Sequence, residues 1–386
     1  MKKLSVFICV HLWLIISCFS ISAQDFQKIR DGIEHAKITK QMKSADGKDE
    51  SVVFNLLRLD LGKVRLDVIH AMDEAIGLEK TSSIAARHGA IAAINAGFFR
   101  IDKSIYEGDD VGALKIDGKV LSESNANRIA LFISNNPKQT SVSINHLNLL
   151  GILSTGKKNF DSIGINRQRK ENDLVVFTPE FHHTTLTDAN GLEIIVQNEK
   201  IARILDGKGS VEIPANGFVI SASGKRREEI LSSVRIGAAI KYQFSSIDFA
   251  TGLTTNPVKQ FAPFTSSEDI VSGVPELIRN RKIQIDYEAE KTSKSFVETH
   301  HPRTAVAKLN DGKFLMVTVD GRSEESGGIS LPDLAAFLLE LGATDAMNLD
   351  GGGSTTMFLD GKIINKPSDK EGERAVGDAI LVFPRK

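Results

Sequence analysis

Two aspartates stand where an apolar run gives way to glycine: Asp320 in KFLMVTVDGR and Asp350 in AMNLDGGGSTTM. If both close the carboxyl ends of neighbouring parallel strands, their carboxylates stand about 5 Å apart, the spacing of retaining glycosidases. One intervening strand would widen the gap to the inverting range. Asp360-Gly361 and Asp311-Gly312 read as ordinary turns instead. What sets Asp320 and Asp350 apart is their company. Arg322 follows the first, Arg303 begins the apolar stretch in HHPRTAVAKL, and Arg374 lies in GERAVGD. A planar guanidinium grips phosphate bidentately, so three near strand ends point to an anion site. After Asp350, Gly351, Gly352 and Gly353 permit close ligand approach and a nest of backbone N–H donors, and Ser354 and Thr355 add hydroxyls. No Gly-Lys-Ser/Thr is present and the loop runs on into a strand, so it is not a nucleotide P-loop.

The elements needed to position these groups are legible. Lys313 to Asp320 is a wholly apolar strand. Ser330 N-caps a helix with Pro332 in its first turn, Asp333 completes a capping-box variant, and Leu331, Leu334, Ala335, Leu338 and Leu341 form its apolar stripe. Gly342 ends it, and Ala343 to Asp350 is the next strand. Such a strand–helix–strand crossover places ligands at the carboxyl edge. TTMFLDGKIIN then forms a hairpin over Asp360-Gly361. Upstream, Ser51 to Met72 reads as two strands around Leu61-Gly62-Lys63, Thr81 to Gly89 as a helix, and Gly89 to Phe99 as a short buried strand breaking at Asn95, which can close a turn or reach a substrate hydroxyl. Phe98 and Phe99 read as core, and Asp117-Gly118 as a hairpin turn. The middle, Ile129 to Ile270, is strand-like throughout, with no linker at either boundary. The expected class is α+β: a strand-rich mixed sheet with helices packed on it, a C-terminal β-α-β crossover and a hairpin, in one domain over residues 24–386.

The amino terminus stands apart. Lys2 and Lys3 precede an apolar run to Ala23, the pattern of a signal peptide cleaved after Ala23. Export to the periplasm or medium is expected; a lipid anchor on Cys18 is the less favoured alternative. Cys9, Cys18 and Trp13 all lie in this segment, so the processed chain has no thiol, disulfide or tryptophan. That excludes cysteine nucleophiles and zinc–thiolate sites. Loss of Lys2 and Lys3 takes the formal charge from −1 to −3, which argues against nucleic acid as a partner. No later segment reaches the ~20 apolar residues of a spanning helix. Adjacent histidines point to opposite sides of a strand, so His300-His301 and His182-His183 do not read as metal pairs.

In order along the chain, AAINAGFF, SGVPELI, HPRTAVA, VDGR, NLDGGGSTTM and ERAVGDAIL resemble the phosphodiester glycosidase family, which includes the enzyme that uncovers mannose 6-phosphate on lysosomal glycoproteins. Bacterial members are often described as exopolysaccharide-biosynthesis proteins. The resemblance spans about Gly32 to Val382. One departure is Ala96, where members commonly carry glycine. The resemblance implies hydrolysis of a sugar-1-phosphodiester at its glycosidic bond, releasing a sugar such as N-acetylglucosamine from a phosphate-bearing glycan or envelope polymer. Asp350 or Asp320 would be nucleophile or base for water, and Arg303 and Arg322 would neutralise the leaving phosphate. Asn95, His301, Asn348, the three glycines, Ser354, Thr355 and Arg374 would hold substrate. No cofactor is required. Two other readings use the same residues: binding of phosphorylated envelope polysaccharide without turnover, and a phosphodiesterase in which Asp320, Asp350 and Asn348 hold a divalent cation through oxygen.

Overall fold

The computed structural model describes residues 26–385 apart from 45, 126, 157 and 247–261. The expected leader, its expected cleavage point and Cys18 lie outside the described residues. The class is α+β and strand-rich. The largest sheet has eight strands in the spatial order Gln27–Arg30, Ile33–Lys43, Asp49–Leu59, Phe314–Val319, Arg303–Leu309, Ala343–Asn348, Glu276–Arg279 and Lys282–Ile283. A five-stranded sheet lies against it, in the order Lys362–Ile363, Met357–Leu359, Ala92–Asn95, Asp378–Pro384, Val64–His70. Val306, Phe314, Met316 and Met347 from the first sheet meet Val68, Ile94, Met357 and Ile380 from the second in one buried core.

Both sheets are covered on their outer faces too. The Leu331–Glu340 helix buries Leu331, Leu334, Ala335 and Leu338 against Ala305, Ala307, Leu315 and Val317. The Thr81–His88 helix buries Ile84 and Ala85 against Ala93, Phe358, Ala379 and Leu381. Central strands therefore face apolar neighbours on both sides, and for that reason FLMVTV and AILVF run apolar without alternation. The helix signals act as read: Ser330 Oγ accepts a bond from Asp333 N at 3.3 Å, and Gly342, at φ +88°, turns the chain after it.

The two strands around Leu61-Gly62-Lys63 are present, as Asp49–Leu59 and Val64–His70, but they part company at once. The first joins the large sheet and the second the small one. The Asp117-Gly118 and Asp360-Gly361 hairpins form as expected. In the strand-rich middle, Ile129–Asn135 pairs with both Thr140–His146 and Asp269–Ser272. Its residues alternate: Ile129, Leu131 and Ile133 enter the core between the two main sheets, while Ala130 and Phe132 enter the core of the middle section.

Candidate functional site

The strands carrying Asp320 and Asp350 run parallel but are not neighbours. Arg303–Leu309 lies between them and pairs antiparallel with each. Two strand spacings, ~9.6 Å, separate the two chains; of the two geometries, the wider holds. At this edge the large sheet presents the start of the Arg303 strand and the ends of its two neighbours. The small sheet presents the end of Ala92–Asn95 and the start of Asp378–Pro384.

Asn95 joins the two. Its amide donates to the Asp350 carbonyl at 2.7 Å, and its Oδ1 accepts from Thr304 Oγ1 at 2.9 Å and Thr356 N at 3.1 Å. The side chain is fully buried and spent on the fold. The expectation that it reaches substrate is corrected: it clamps the backbone of Asp350, whose N–H also donates to Ala96 O at 2.9 Å. Ala96 leaves this turn intact.

Asp350 is thus held at both backbone ends, and its Oδ1 accepts the Gly351 N–H at 2.9 Å. Burial pushes its pKa up to about 6, against the pull of Ser354, Gly351 N–H and Arg374. The Ser354 hydroxyl is fully buried and has no hydrogen-bond partner, although it lies close enough to Asp350 to favour its charge. Asp320 is different. It is 4% exposed, its Oδ1 accepts Lys366 N at 3.0 Å, and its own carbonyl accepts Ser326 Oγ at 2.6 Å. Burial raises its pKa, but its electrostatic neighbours are Lys37, Lys366 and Asn365, not Asp350. As paired catalytic carboxylate Asp320 is corrected: it ties down the chain after the hairpin.

The glycines admit side chains rather than forming an open nest. Gly352, at φ +62°, lies under the Arg322 guanidinium, and a Cβ on Gly353 would collide with Arg374 and Asp369. The N–H groups are mostly taken: Gly351 by Asp350, Gly352 by Pro302 O at 2.9 Å, Ser354 by Gly351 O at 3.2 Å and Thr355 by Gly352 O at 3.3 Å. Among the described residues only Gly353 N in this loop is left without an acceptor. The run of donors inferred from sequence is corrected accordingly, because the loop closes on itself as a short 3-10 turn. Thr355 is buried with its hydroxyl toward Thr304 at 3.4 Å, and Asn348 is fully buried with its amide donating to Val274 O at 2.7 Å. Both brace the fold instead of facing ligand.

The arginines divide. Arg303 is 2% exposed; its Nε donates to Ile329 O at 3.2 Å and its Nη2 to Phe296 O and Thr299 O at 2.8 and 2.7 Å. Burial and the nearby Arg322 push its pKa down to about 10, so it remains a cation at neutral pH. It is a strut whose Nε and Nη2 are taken by backbone carbonyls, and the expectation that it neutralises the leaving phosphate together with Arg322 is corrected. Arg374 makes a bidentate pair with Asp369 at 2.8 and 3.1 Å. Arg322 is exposed, has a left-handed backbone at φ +59°, and forms no ion pair with a carboxylate among the described residues. Its Nη2 donates to His301 Nδ1 at 3.4 Å, which leaves the ring proton on Nε2. Burial and the cations Arg303 and Arg322 hold the His301 pKa below its ordinary value, so the ring is neutral.

A buried group that sequence reasoning missed stands behind Asp350. Asp378, 1% exposed, accepts Gly97 N–H on Oδ1 at 2.6 Å, and its Oδ2 has no hydrogen-bond partner among the described residues. His70 lies 3.3 Å from Asp110 Oδ2, with Nδ1 at 3.1 Å from Ala71 O and Nε2 at 3.2 Å from Gly108 O. Three acceptors around one imidazole favour its cation, and Asp110 and Asp378 push the pKa up to about 9 despite burial. The available signals were the acids of Glu107-Gly108-Asp109-Asp110 and Gly377-Asp378, set against apolar strands. Among the described residues no group of three or more His, Cys, Asp or Glu side chains is arranged to hold a metal ion, and no helix is long and apolar enough to cross a membrane.

Residues 190–383 match the family model for phosphodiester glycosidase. N-acetylglucosamine-1-phosphodiester alpha-N-acetylglucosaminidase of Mus musculus is 30% identical over 184 residues, 45% of this chain and 33% of that protein. A prophage-derived protein of Bacillus subtilis is 40% identical over 94 residues, 24% of this chain and 14% of that one. The chain thus spans a third or less of the length of these curated relatives. In fold, a crystal structure of a protein from Synechocystis superposes with a TM-score of 0.75 at 22% identity, over 92% of this chain and 62% of that one. The matched half includes the site loop from Asp350 to Thr355, Arg322, Arg374 and Asp378, and on that match the chain belongs to the phosphodiester glycosidase family.

Proposed function

We propose that this protein hydrolyses a sugar-1-phosphodiester at the glycosidic bond, releasing a sugar such as N-acetylglucosamine from a phosphate-linked acceptor. The observation that carries the reading is Arg322: a guanidinium without a carboxylate partner among the described residues, poised over Gly352 beside the loop of Asp350. Arg322 lies against Gly352 and Arg374 against Gly353, and in this reading the two guanidinia hold the phosphate, with Gly353 N–H, Ser354 Oγ and His301 Nε2–H as further donors. Asp350 is ionised above pH 6 and serves as nucleophile or as base for water at the anomeric carbon. The departing phosphomonoester is stable as an anion, so the cations that bind it also stabilise the charge it gains as the bond breaks. The name of the mouse relative supports the sugar and the bond. The basic start and apolar run over residues 1–23 support export, with an envelope or exopolysaccharide phosphodiester as natural substrate.

Incubation of the pure protein with an α-linked N-acetylglucosamine-1-phosphodiester in 18O-water tests this. Label in the released sugar is expected. Label in the phosphate, or no release, overturns the proposal.

A further inference from the structure

We propose that Asp378 is a positioning residue for this hydrolysis, pinning the turn that holds Asp350 while the buried His70–Asp110 pair behind it governs its charge. The inference rests on the reading of Asp350 above.

Asp378 grips the Asn95–Gly97 turn twice. Its Oδ1 accepts Gly97 N–H at 2.6 Å and its carbonyl accepts Ala96 N–H at 3.2 Å. The same turn supplies the two groups that hold the Asp350 backbone, Ala96 O and the Asn95 amide. Asp378 therefore holds the turn that makes both hydrogen bonds to the Asp350 backbone. A Cβ on Gly97 would lie 2.9 Å from Asp378 Oδ2, so the turn packs directly on the carboxyl.

The surroundings are charged on several sides. From the Val64–His70 strand comes His70; from the loop between Ala92–Asn95 and Leu114–Ile116 comes Asp110, with Asp109 beside it and Glu123, Arg100 and Arg167 around Asp109; from the site comes Asp350, with Arg374 beyond. Three carboxyls and one imidazolium cannot all be charged in so small a buried space without a large cost. His70 with Asp110 makes a balanced pair. Burial and the charge of Asp110 drive the Asp378 pKa well above the ordinary carboxyl range, so Asp378 is the group that keeps its proton. A neutral Asp378 lets Asp350 carry the one negative charge that faces substrate. Ionising Asp378 as pH rises would put a second negative charge behind a site that must hold phosphate.

The test compares Asp378→Asn with Asp378→Ala. Asn keeps the acceptor for Gly97 and is neutral at every pH; Ala keeps neither the acceptor nor the shape. With a methyl N-acetylglucosamine-1-phosphate diester as substrate, wild type is expected to lose kcat/KM on the alkaline side as the buried carboxyl ionises. Asp378→Asn should keep most of its activity near pH 7 and show that decline at least one pH unit higher. Asp378→Ala should lose kcat roughly 10- to 100-fold with a smaller change in KM. An unchanged alkaline limb in Asp378→Asn overturns the proposal, and so does full activity of Asp378→Ala. If Asp378→Ala does not fold, the Asn profile still decides. The substrate-free protein gives a separate reading: 13C NMR of the side-chain carboxyls should show a carboxyl signal still protonated at pH 7 that vanishes in Asp378→Asn. Absence of such a signal in wild type overturns the inference. A wild type that shows it yet cleaves no phosphodiester overturns only the functional reading.

Discussion

At the scale of single residues, Asp350 combines two properties that oppose each other. In its proposed role it must ionise, yet burial raises its pKa to about 6 from an ordinary value near 3.8. Between those values the folded protein binds more protons than the unfolded chain, so stability falls as pH rises through this window. Asp350→Asn should therefore melt higher than wild type at pH 7 and no higher at pH 4, while its kcat drops about a thousandfold or more. Thermal melts at both pH values, with kinetics, check this; a lower melting temperature at pH 7 would refute it. The wild-type kcat/KM should rise with pH through about 6. Gly353→Ala tests the anion site. Its methyl has no room beside Arg374, so the guanidinium must shift, and KM should rise about tenfold with a smaller loss in kcat. That Asp350, Arg322, Ser354 and Arg374 stand together was legible in the sequence, because strand-end acids, glycines and arginines advertise an anion site. Asn95, Asn348 and Thr355 were read as ligand groups for the same reason, polarity at a strand end. Only the packing of two sheets shows that Asn95 and Thr355 are bonded within the fold and that the Asn348 amide donates to Val274 O.

Among elements, the C-terminal crossover was the most legible. Ser330, Pro332 and Gly342 act locally, within one turn of the helix they delimit, so the sequence around them suffices. Ser330→Ala removes the acceptor for Asp333 N–H and should cost about 1 kcal/mol in chemical denaturation without altering KM. Which strand lies beside which was not legible. The Arg303–Leu309 strand precedes both of its neighbours in the chain yet sits between them, and nothing local marks that. The parting of Asp49–Leu59 from Val64–His70 into different sheets is hidden in the same way, since both are covered on both faces. Asn95, which joins those sheets, carries the heavier load. Asn95→Ala strands Thr304 Oγ1 and Thr356 N–H in a dry interior and frees the Asp350 carbonyl. It should cost roughly 2–4 kcal/mol and lower kcat while the protein still folds. An unaltered kcat would show that the clamp does not serve the site.

For the whole molecule, the buried ionisable groups act in one direction. Asp269 and Asp109 are pushed up by burial to about 7 and about 8, and Asp350 to about 6. Each costs more as it ionises, so their stability contribution declines from about pH 4 upward. His70 stabilises fully below its ordinary value near 6.5 and loses that contribution as pH climbs through about 9. Carboxylates with lowered pKa, such as Asp173 beside Arg167 and Glu180 beside Lys119, contribute above about pH 4 and weaken only in acid. The melting temperature should therefore peak near pH 5 and fall by several degrees toward pH 9, measured at constant ionic strength. The order of strands has a consequence for synthesis. Asp378–Pro384 slots between Ala92–Asn95 and Val64–His70, so the small sheet cannot close until this strand, made long after its two neighbours, leaves the ribosome. Until then two strands wait with open edges, and the turn under Asp350 lacks its anchor. The nascent polypeptide is thus sticky at those edges, a client for holding chaperones until the Asp378–Pro384 strand arrives.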